Sequence, residues 1–147
     1  MTYRRFVLCC AVVLPLSMAA EKQPIRPKEL INPTAPSLPY TPGILIDGTL
    51  YVAGQTGTDP KTNKIPENFE DEVKTALDRV GIVLKAAGMD FSNAVAVQVF
   101  LTDIDLFPRM NAVYATYFKD PRPARTTVGV SKLVGTARIE ITVTAHK

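Results

Sequence analysis

The chain has 147 residues, of which 46% are hydrophobic and 21% charged, and this balance is typical of one ordinary globular domain. Its formal charge of +3 falls to +1 without residues 1–19, because that segment carries two of the 17 basic residues and none of the 14 acidic ones. A chain so close to neutral lacks the basic footprint of a nucleic-acid-binding protein, and we expect no nucleic-acid partner.

Residues 1–19 have the pattern of a secretory signal peptide. Two arginines precede an apolar run over residues 6–16, and Ser17 and Ala19 are small residues suited to cleavage near Ala19. The run is too short to span a bilayer comfortably. We therefore expect a secreted or periplasmic protein without a stable membrane anchor once the signal is removed. An uncleaved anchor is the alternative.

The cysteine and histidine content limits the chemistry that the mature chain can use. Cys9 and Cys10 are the only cysteines, and both lie in the apolar run, so cleavage would leave no thiol for disulfides, nucleophilic catalysis or metal binding. The single histidine, His146, is one residue from the end of the chain. These counts argue against a metal site built on thiols or histidines and against a histidine general base, whereas a metal site made only of carboxylates stays open, although no clustered spacing indicates one.

Residues 20–38 form a proline-rich N-terminal arm, which precedes a single domain over residues 39–147. Six of the twelve prolines lie between Glu21 and Pro42. We expect this arm to be extended, with few backbone hydrogen bonds of its own. Tyr40 stands near the end of this stiff stretch.

A β-hairpin is predicted over residues 44–53. Its central Asp47-Gly48 favours the type I′ turn, in which both central residues have positive φ. The second strand ends in Ala53-Gly54-Gln55, where the glycine permits close approach to the backbone.

Two amphipathic helices follow the hairpin. Asn68 is the predicted N-cap of the first, which ends at Gly88, and its acidic residues 70–72 indicate capping and solvation. Asp105 is the predicted cap of the second, which begins at about Leu106. Each helix has one apolar stripe for burial.

Three strands are predicted around and after the second helix. Residues 94–101 are almost continuously apolar, which predicts a central strand covered on both faces. Residues 124–130 and 138–145 alternate with period 2, so that Arg125 and Glu140 project from the polar sides of their strands. A solvated sheet face is the alternative for such charged residues.

The order of elements predicts an α+β fold, in which a mixed sheet has two helices packed on one face. The other face would be rich in small, uncharged side chains. It would carry Ala96, Gln98, Phe100, Thr127, Thr142 and Thr144. We expect self-association, most simply in a closed ring, to bury this face.

Several motifs carry a resemblance to a known family. They are Pro39-Tyr40, Val52-Ala53-Gly54-Gln55, Asp59-Pro60-Lys61-Thr62, Met110-Asn111-Ala112-Val113-Tyr114, Pro123-Ala124-Arg125-Thr126-Thr127-Val128 and Arg138-Ile139-Glu140-Ile141. From about Asn32 onwards the chain resembles the reactive intermediate deaminase A family, also called the YjgF/YER057c/UK114 or L-PSP endoribonuclease family.

The resemblance implies a chorismate-mutase-like fold and a homotrimer with clefts between its subunits. It implies hydrolytic deamination of reactive 2-imino or enamine acids to 2-oxo acids and ammonia, without metal or organic cofactor. Arg125 would bind the substrate carboxylate and Glu140 would orient the attacking water or move its proton. The implied substrate-binding residues are Tyr40, Ala53, Gly54, Asn111 and Thr127.

Two departures from the family pattern leave the substrate preference open. Ala53 stands where many members have serine, and Thr127 stands where many have cysteine. A non-catalytic, exported trimer that binds small carboxylates is the alternative function. Endoribonuclease activity is less favoured, because the mature chain is nearly neutral and has no histidine near the implied site.

Overall fold

The structure, a computed structural model, describes residues 20–31 and 38–147. The predicted signal peptide and residues 32–37 of the predicted arm lie outside the described residues. The strands are β1 (Gln23–Ile25), β2 (Gly43–Ile46), β3 (Thr49–Thr56), β4 (Ala94–Leu101), β5 (Ala124–Gly129) and β6 (Ile139–His146). The helices are α1 (Phe69–Ala86) and α2 (Phe107–Tyr117). Neither is long and apolar enough to cross a membrane.

The six strands form one mixed sheet in the order β1-β2-β3-β6-β4-β5. Only β4 and β5 are parallel, and they are connected through α2. The predicted mixed sheet with two helices is confirmed. The two C-terminal strands do not pair with each other, since β4 lies between them. Residues 23–25 of the predicted arm pair with β2, so part of this arm is an edge strand with backbone hydrogen bonds of its own.

The hairpin has the predicted turn. Asp47 and Gly48 have φ of 46° and 72°, and Ile46 pairs with Thr49. Strand β3 continues beyond the predicted end of the hairpin to Thr56, through a register shift between Val52 and Gln55. This β-bulge shapes the candidate site described below.

Helix α1 begins as predicted, because the Asn68 side chain accepts a hydrogen bond from the Asp71 N–H at 3.0 Å. The interpretation of its acidic residues as solvated was wrong for Glu72. This carboxylate is fully buried and accepts hydrogen bonds from Arg138 N and Nε at 2.7 and 2.6 Å. The pair joins α1 to the start of β6.

Asp103, rather than the predicted Asp105, provides the cap before the second helix. Its carboxylate accepts the Asp105 N–H at 2.9 Å and begins a short 3₁₀ turn over Ile104–Leu106, which leads directly into α2. The cap therefore precedes the expected position because a tighter turn is inserted before the α-helix.

The face of the sheet away from the helices is open in a single chain. Strand β4 is thus covered on one face only, in contrast to the prediction: Val97 and Val99 are buried under the helices, whereas Ala96 and Gln98 are exposed. Thr127 was predicted on the open face, but it pairs with Val99 and lies on the helix side. Burial of the open face against other copies of the chain stays a prediction.

Replacement of Glu72 by Gln tests the buried ion pair. We expect a loss of about 1.5–3 kcal/mol in the free energy of unfolding, because the neutral amide weakens the hydrogen bonds that the Glu72 carboxylate accepts from Arg138, whose side chain is 34% exposed. Urea unfolding at one fixed protein concentration measures the loss. The matched variant is Glu70→Gln, which removes an exposed pair with Arg109 and should leave the midpoint close to wild type. Equal midpoints for both variants would contradict the assignment.

Candidate active site

All of the predicted site residues except Thr127 line two separate cavities of one protomer. The Arg125 cavity has a volume of about 470 Å³ and is lined by Asn111, Tyr114, Ala115, Arg122, Pro123 and Arg125. The Glu140 cavity has a volume of about 350 Å³ and is lined by Tyr40, Ala53, Gly54, Thr56, Arg79, Val134 and Glu140. The sequence analysis predicted one site for these residues, but within a single chain they belong to two cavities.

The strand register explains this division. Arg125 pairs with Val97 of β4, and Glu140 pairs with Phe100 of the same strand. The two residues are two strands apart, about 10 Å, and offset by three residues, again about 10 Å. Val97 and Phe100 point to opposite faces, because their positions differ by three, an odd number. The polar side of β5, which carries Arg125, and the polar side of β6, which carries Glu140, therefore face opposite sides of the sheet.

Helix α2 positions the Arg125 guanidinium. Its central carbon lies 4.4 Å from the centroid of the Tyr114 ring and 5.4 Å from that of Phe107. Burial raises the pKa of the Tyr114 hydroxyl, and the nearby Arg125 charge opposes this effect. No carboxylate of the described residues forms an ion pair with Arg125. A guanidinium stacked on aromatic faces keeps its edge available for a planar anion.

Asn111 and Thr127 lie on the same side of the sheet as Arg125. Asn111 is one helical turn before Tyr114 and contributes to the cavity wall. Thr127 follows Arg125 by two residues but does not line the cavity. Its hydroxyl is buried and has no hydrogen-bond partner within residues 20–31 and 38–147.

The β-bulge in β3 positions Glu140 in the second cavity. A Cβ atom on Gly54 would overlap with the Glu140 carboxylate, so the absence of a side chain at this position makes room for it. The adjacent Ala53 N–H donates to the Pro42 carbonyl at 2.9 Å, which connects the bulge to the segment that carries Tyr40. The Tyr40 side chain is 47% exposed at the rim of the cavity.

Sequence reasoning missed Arg79 and Val134 in the Glu140 cavity. Arg79 is partly buried, and it follows the buried Ala76 by three residues and precedes the buried Val83 by four. This spacing places it at the edge of the apolar stripe and could have identified it. Val134 lies in the loop between β5 and β6 and is 82% exposed; no pattern in the sequence distinguished it.

Acidic, histidine and cysteine side chains do not gather into a possible metal-binding group of three or more in the part of the chain that the structure describes.

Comparisons with known proteins agree with this fold. A family model described as Endoribonuclease L-PSP matches residues 31–147. A RutC family protein of Aquifex aeolicus is 38% identical over 124 residues, which are 82% of this chain and 99% of that protein. The 2-iminobutanoate/2-iminopropanoate deaminase of Rattus norvegicus is 44% identical over 103 residues, 69% of this chain and 75% of that protein.

Two solved structures show the same architecture. The Rid-family protein YyfA of Yersinia pestis has a TM-score of 0.79 and 33% identity, covering 86% of this chain and 100% of its own. TdcF of E. coli, solved with bound serine, has a TM-score of 0.76 and 26% identity, covering 85% and 99% of the two chains. The predicted family fold is confirmed.

A double-mutant cycle tests the close approach of Gly54 and Glu140. We expect Gly54→Ala to lower the free energy of unfolding by about 1–3 kcal/mol, because the added methyl group displaces the carboxylate. In a Glu140→Ala background the same change should cost much less, which gives a coupling of about 1 kcal/mol or more. Denaturant unfolding of the four proteins measures it.

Gly129→Ala is the matched control, since a Cβ there would meet only Ile104, at an ordinary contact distance of 3.7 Å. Equal costs for Gly54→Ala in the two backgrounds would show that the carboxylate does not occupy this space.

Proposed function

The chain belongs to the Endoribonuclease L-PSP family, and we propose that it hydrolyses reactive 2-imino and enamine acids to 2-oxo acids and ammonia. Relatives at 42–44% identity that carry the name 2-iminobutanoate/2-iminopropanoate deaminase support this activity. The observation that carries the proposal is the pair of complementary half-sites. One cavity presents an arginine without a carboxylate partner, and the other presents a carboxylate fitted against a glycine.

We propose that the active form is a homotrimer in which the Arg125 cavity of one protomer meets the Glu140 cavity of the next. A cyclic assembly joins two different surfaces of each chain at every interface. The two half-sites are such surfaces, since they lie on opposite faces of the sheet. The open face also has an uncharged part, which includes Ala96, Gln98, Thr142 and Thr144 and supports the same assembly.

In this site Arg125 binds the substrate carboxylate through two parallel hydrogen bonds. Glu140 accepts a proton from water as the water oxygen bonds to the imine carbon, and passes this proton to the imine nitrogen to give a tetrahedral carbinolamine. Glu140 then moves the hydroxyl proton to the nitrogen as the C–N bond breaks, which releases ammonia and leaves the 2-oxo acid. An enamine first gains a proton on carbon to become the imine. Because an imine is already electrophilic, positioning supplies much of the rate.

We assign supporting roles to the remaining residues of the predicted site. Tyr40 covers the rim of the Glu140 cavity, and the backbone at Ala53 and Gly54 lines its floor. Asn111 contributes from α2 on the opposite protomer. Neither cavity wall includes Thr127, so its role is to pack behind Arg125.

We also propose that the chain is exported to the periplasm or secreted. The pattern of residues 1–19 supports this location. The mass of the protein recovered from the periplasm or the medium tests this location, because cleavage near Ala19 would remove residues 1–19. Recovery of the protein inside the cell with an intact N-terminus would contradict export.

A trapping assay tests the activity. An amino-acid oxidase generates 2-iminobutanoate in situ, semicarbazide traps the imine, and an active protein suppresses trapping. We expect Arg125→Ala to lower kcat/KM by about 10- to 100-fold and Glu140→Gln to lower kcat by about 100-fold or more. Arg109→Gln, an exposed arginine outside both cavities, is the control. A wild-type protein that binds a small carboxylate without suppressing trapping would indicate a binding protein instead.

Complementation tests whether two protomers build one site. Arg125→Ala and Glu140→Gln are each expected to lower kcat/KM by about 10-fold or more, but co-expression forms mixed trimers in which some interfaces join an intact Arg125 to an intact Glu140. Random assembly in a cyclic trimer restores roughly a quarter of the sites. Activity measurements on the co-expressed protein check this, and activity no higher than that of either parent would place both residues in one protomer.

A further inference from the structure

The Glu140 cavity contains a second charged residue, Arg79, which the proposed hydrolysis does not use. Its Nε donates to the Gln55 side-chain oxygen at 3.1 Å, and its Nη1 donates to the Thr58 carbonyl at 3.0 Å. Gln55 is itself fixed, since it is 2% exposed and donates to the Ala53 carbonyl at 3.0 Å. The guanidinium therefore has a defined orientation in the cavity wall before any ligand binds.

No carboxylate of this chain neutralises Arg79. All 14 acidic side chains lie in residues 20–31 and 38–147, and none of them pairs with it. Asp59 lies nearby, but its carboxylate accepts the backbone N–H groups of Lys61 and Thr62 at 2.8 and 2.9 Å. Nη2 of Arg79 makes no hydrogen bond to the described residues.

Partial burial makes this unpaired charge significant. It lowers the pKa of the Arg79 guanidinium, yet a guanidinium stays charged in proteins. A cation that has lost part of its water and has a free N–H edge is stabilised by a carboxylate, which accepts two parallel hydrogen bonds. Glu140 lines the same cavity and forms neither an ion pair nor a hydrogen bond with Arg79, so the cavity presents a carboxylate, to which the proposed function gives the reaction, and a separate anion-binding group.

We propose that Arg79 determines specificity, and that the site takes 2-imino acids with a second acidic group, such as the imines of aspartate and glutamate. Arg79 binds the distal carboxylate, while Arg125 of the neighbouring protomer binds the carboxylate next to the imine. The reaction is unchanged, with one water consumed and one ammonia released. This assignment rests on the proposed function for turnover, whereas ligand binding tests it independently.

Substrate selectivity separates this role from a structural one. The assay measures kcat/KM for the imines formed by oxidation of aspartate and of 2-aminobutanoate. We expect Arg79→Gln to lower the value for the dicarboxylic imine by about 10- to 100-fold, with little change for 2-iminobutanoate. Arg109→Gln, the matched surface control, should change neither. A parallel loss for both imines, or no loss for either, would show that Arg79 only holds Gln55 and Thr58.

Binding of the corresponding 2-oxo acids distinguishes failure of this inference from failure of the proposed function. Calorimetry compares 2-oxoglutarate with 2-oxobutanoate on the wild type and on Arg79→Gln. We expect wild type to bind 2-oxoglutarate at least about 10-fold more tightly, and the variant to lose this preference. If no imine is hydrolysed but the preference depends on Arg79, the deaminase proposal fails and the anion site stands.

A second variant keeps the test decisive if Arg79→Gln does not fold. Arg79→Lys retains the charge but loses the planar fork, so we expect a reduced preference for the dicarboxylic ligand. A wild-type protein that binds both 2-oxo acids equally well would overturn the assignment without any variant.

Discussion

Strand β4 pairs with both β5 and β6, and its register fixes where Arg125 and Glu140 lie. Parallel pairing sets Arg125 beside Val97, under the helices, and antiparallel pairing sets Glu140 beside Phe100, on the open face. No side-chain rearrangement can bring the two groups together, because the sheet lies between them. In the proposed function, a reaction that uses both residues therefore draws on two copies of the chain, which would link catalysis to assembly.

The bulge in β3 gives the Glu140 cavity its polar groups. It shifts the register between Val52 and Gln55, so that Gln55 points inward, where its side chain holds Arg79. The same irregularity places Gly54 against the Glu140 carboxylate. One extra residue in a strand thus makes room for the Glu140 carboxylate at Gly54 and holds the Arg79 guanidinium through Gln55 at the same cavity, in agreement with the frequent use of bulges to redirect side chains at functional sites.

Sequence patterns correctly predicted features that depend mainly on residues close together in the chain. The turn at Asp47-Gly48 and the cap at Asn68 depend on residues within four positions, and both are confirmed. One error is local, since the 3₁₀ turn before α2 is capped by Asp103 and not by Asp105. The other errors concern partners distant in sequence: Glu72 is buried because it meets Arg138, 66 residues later, and the face of Thr127 depends on its register with β4. The site residues followed from family motifs, and their division between two cavities required the sheet order.

The arginines of this chain differ in how their charge is compensated. Arg138 pairs with the buried Glu72, and Arg109 pairs with Glu70 on the surface. Arg79 and Arg125 line the two cavities and pair with no carboxylate of the described residues. An unpaired, partly buried cation lowers stability unless a ligand compensates it. Since this chain does supply carboxylates where an arginine joins structural elements, the unpaired arginines are best explained by ligands that bring their own acidic groups.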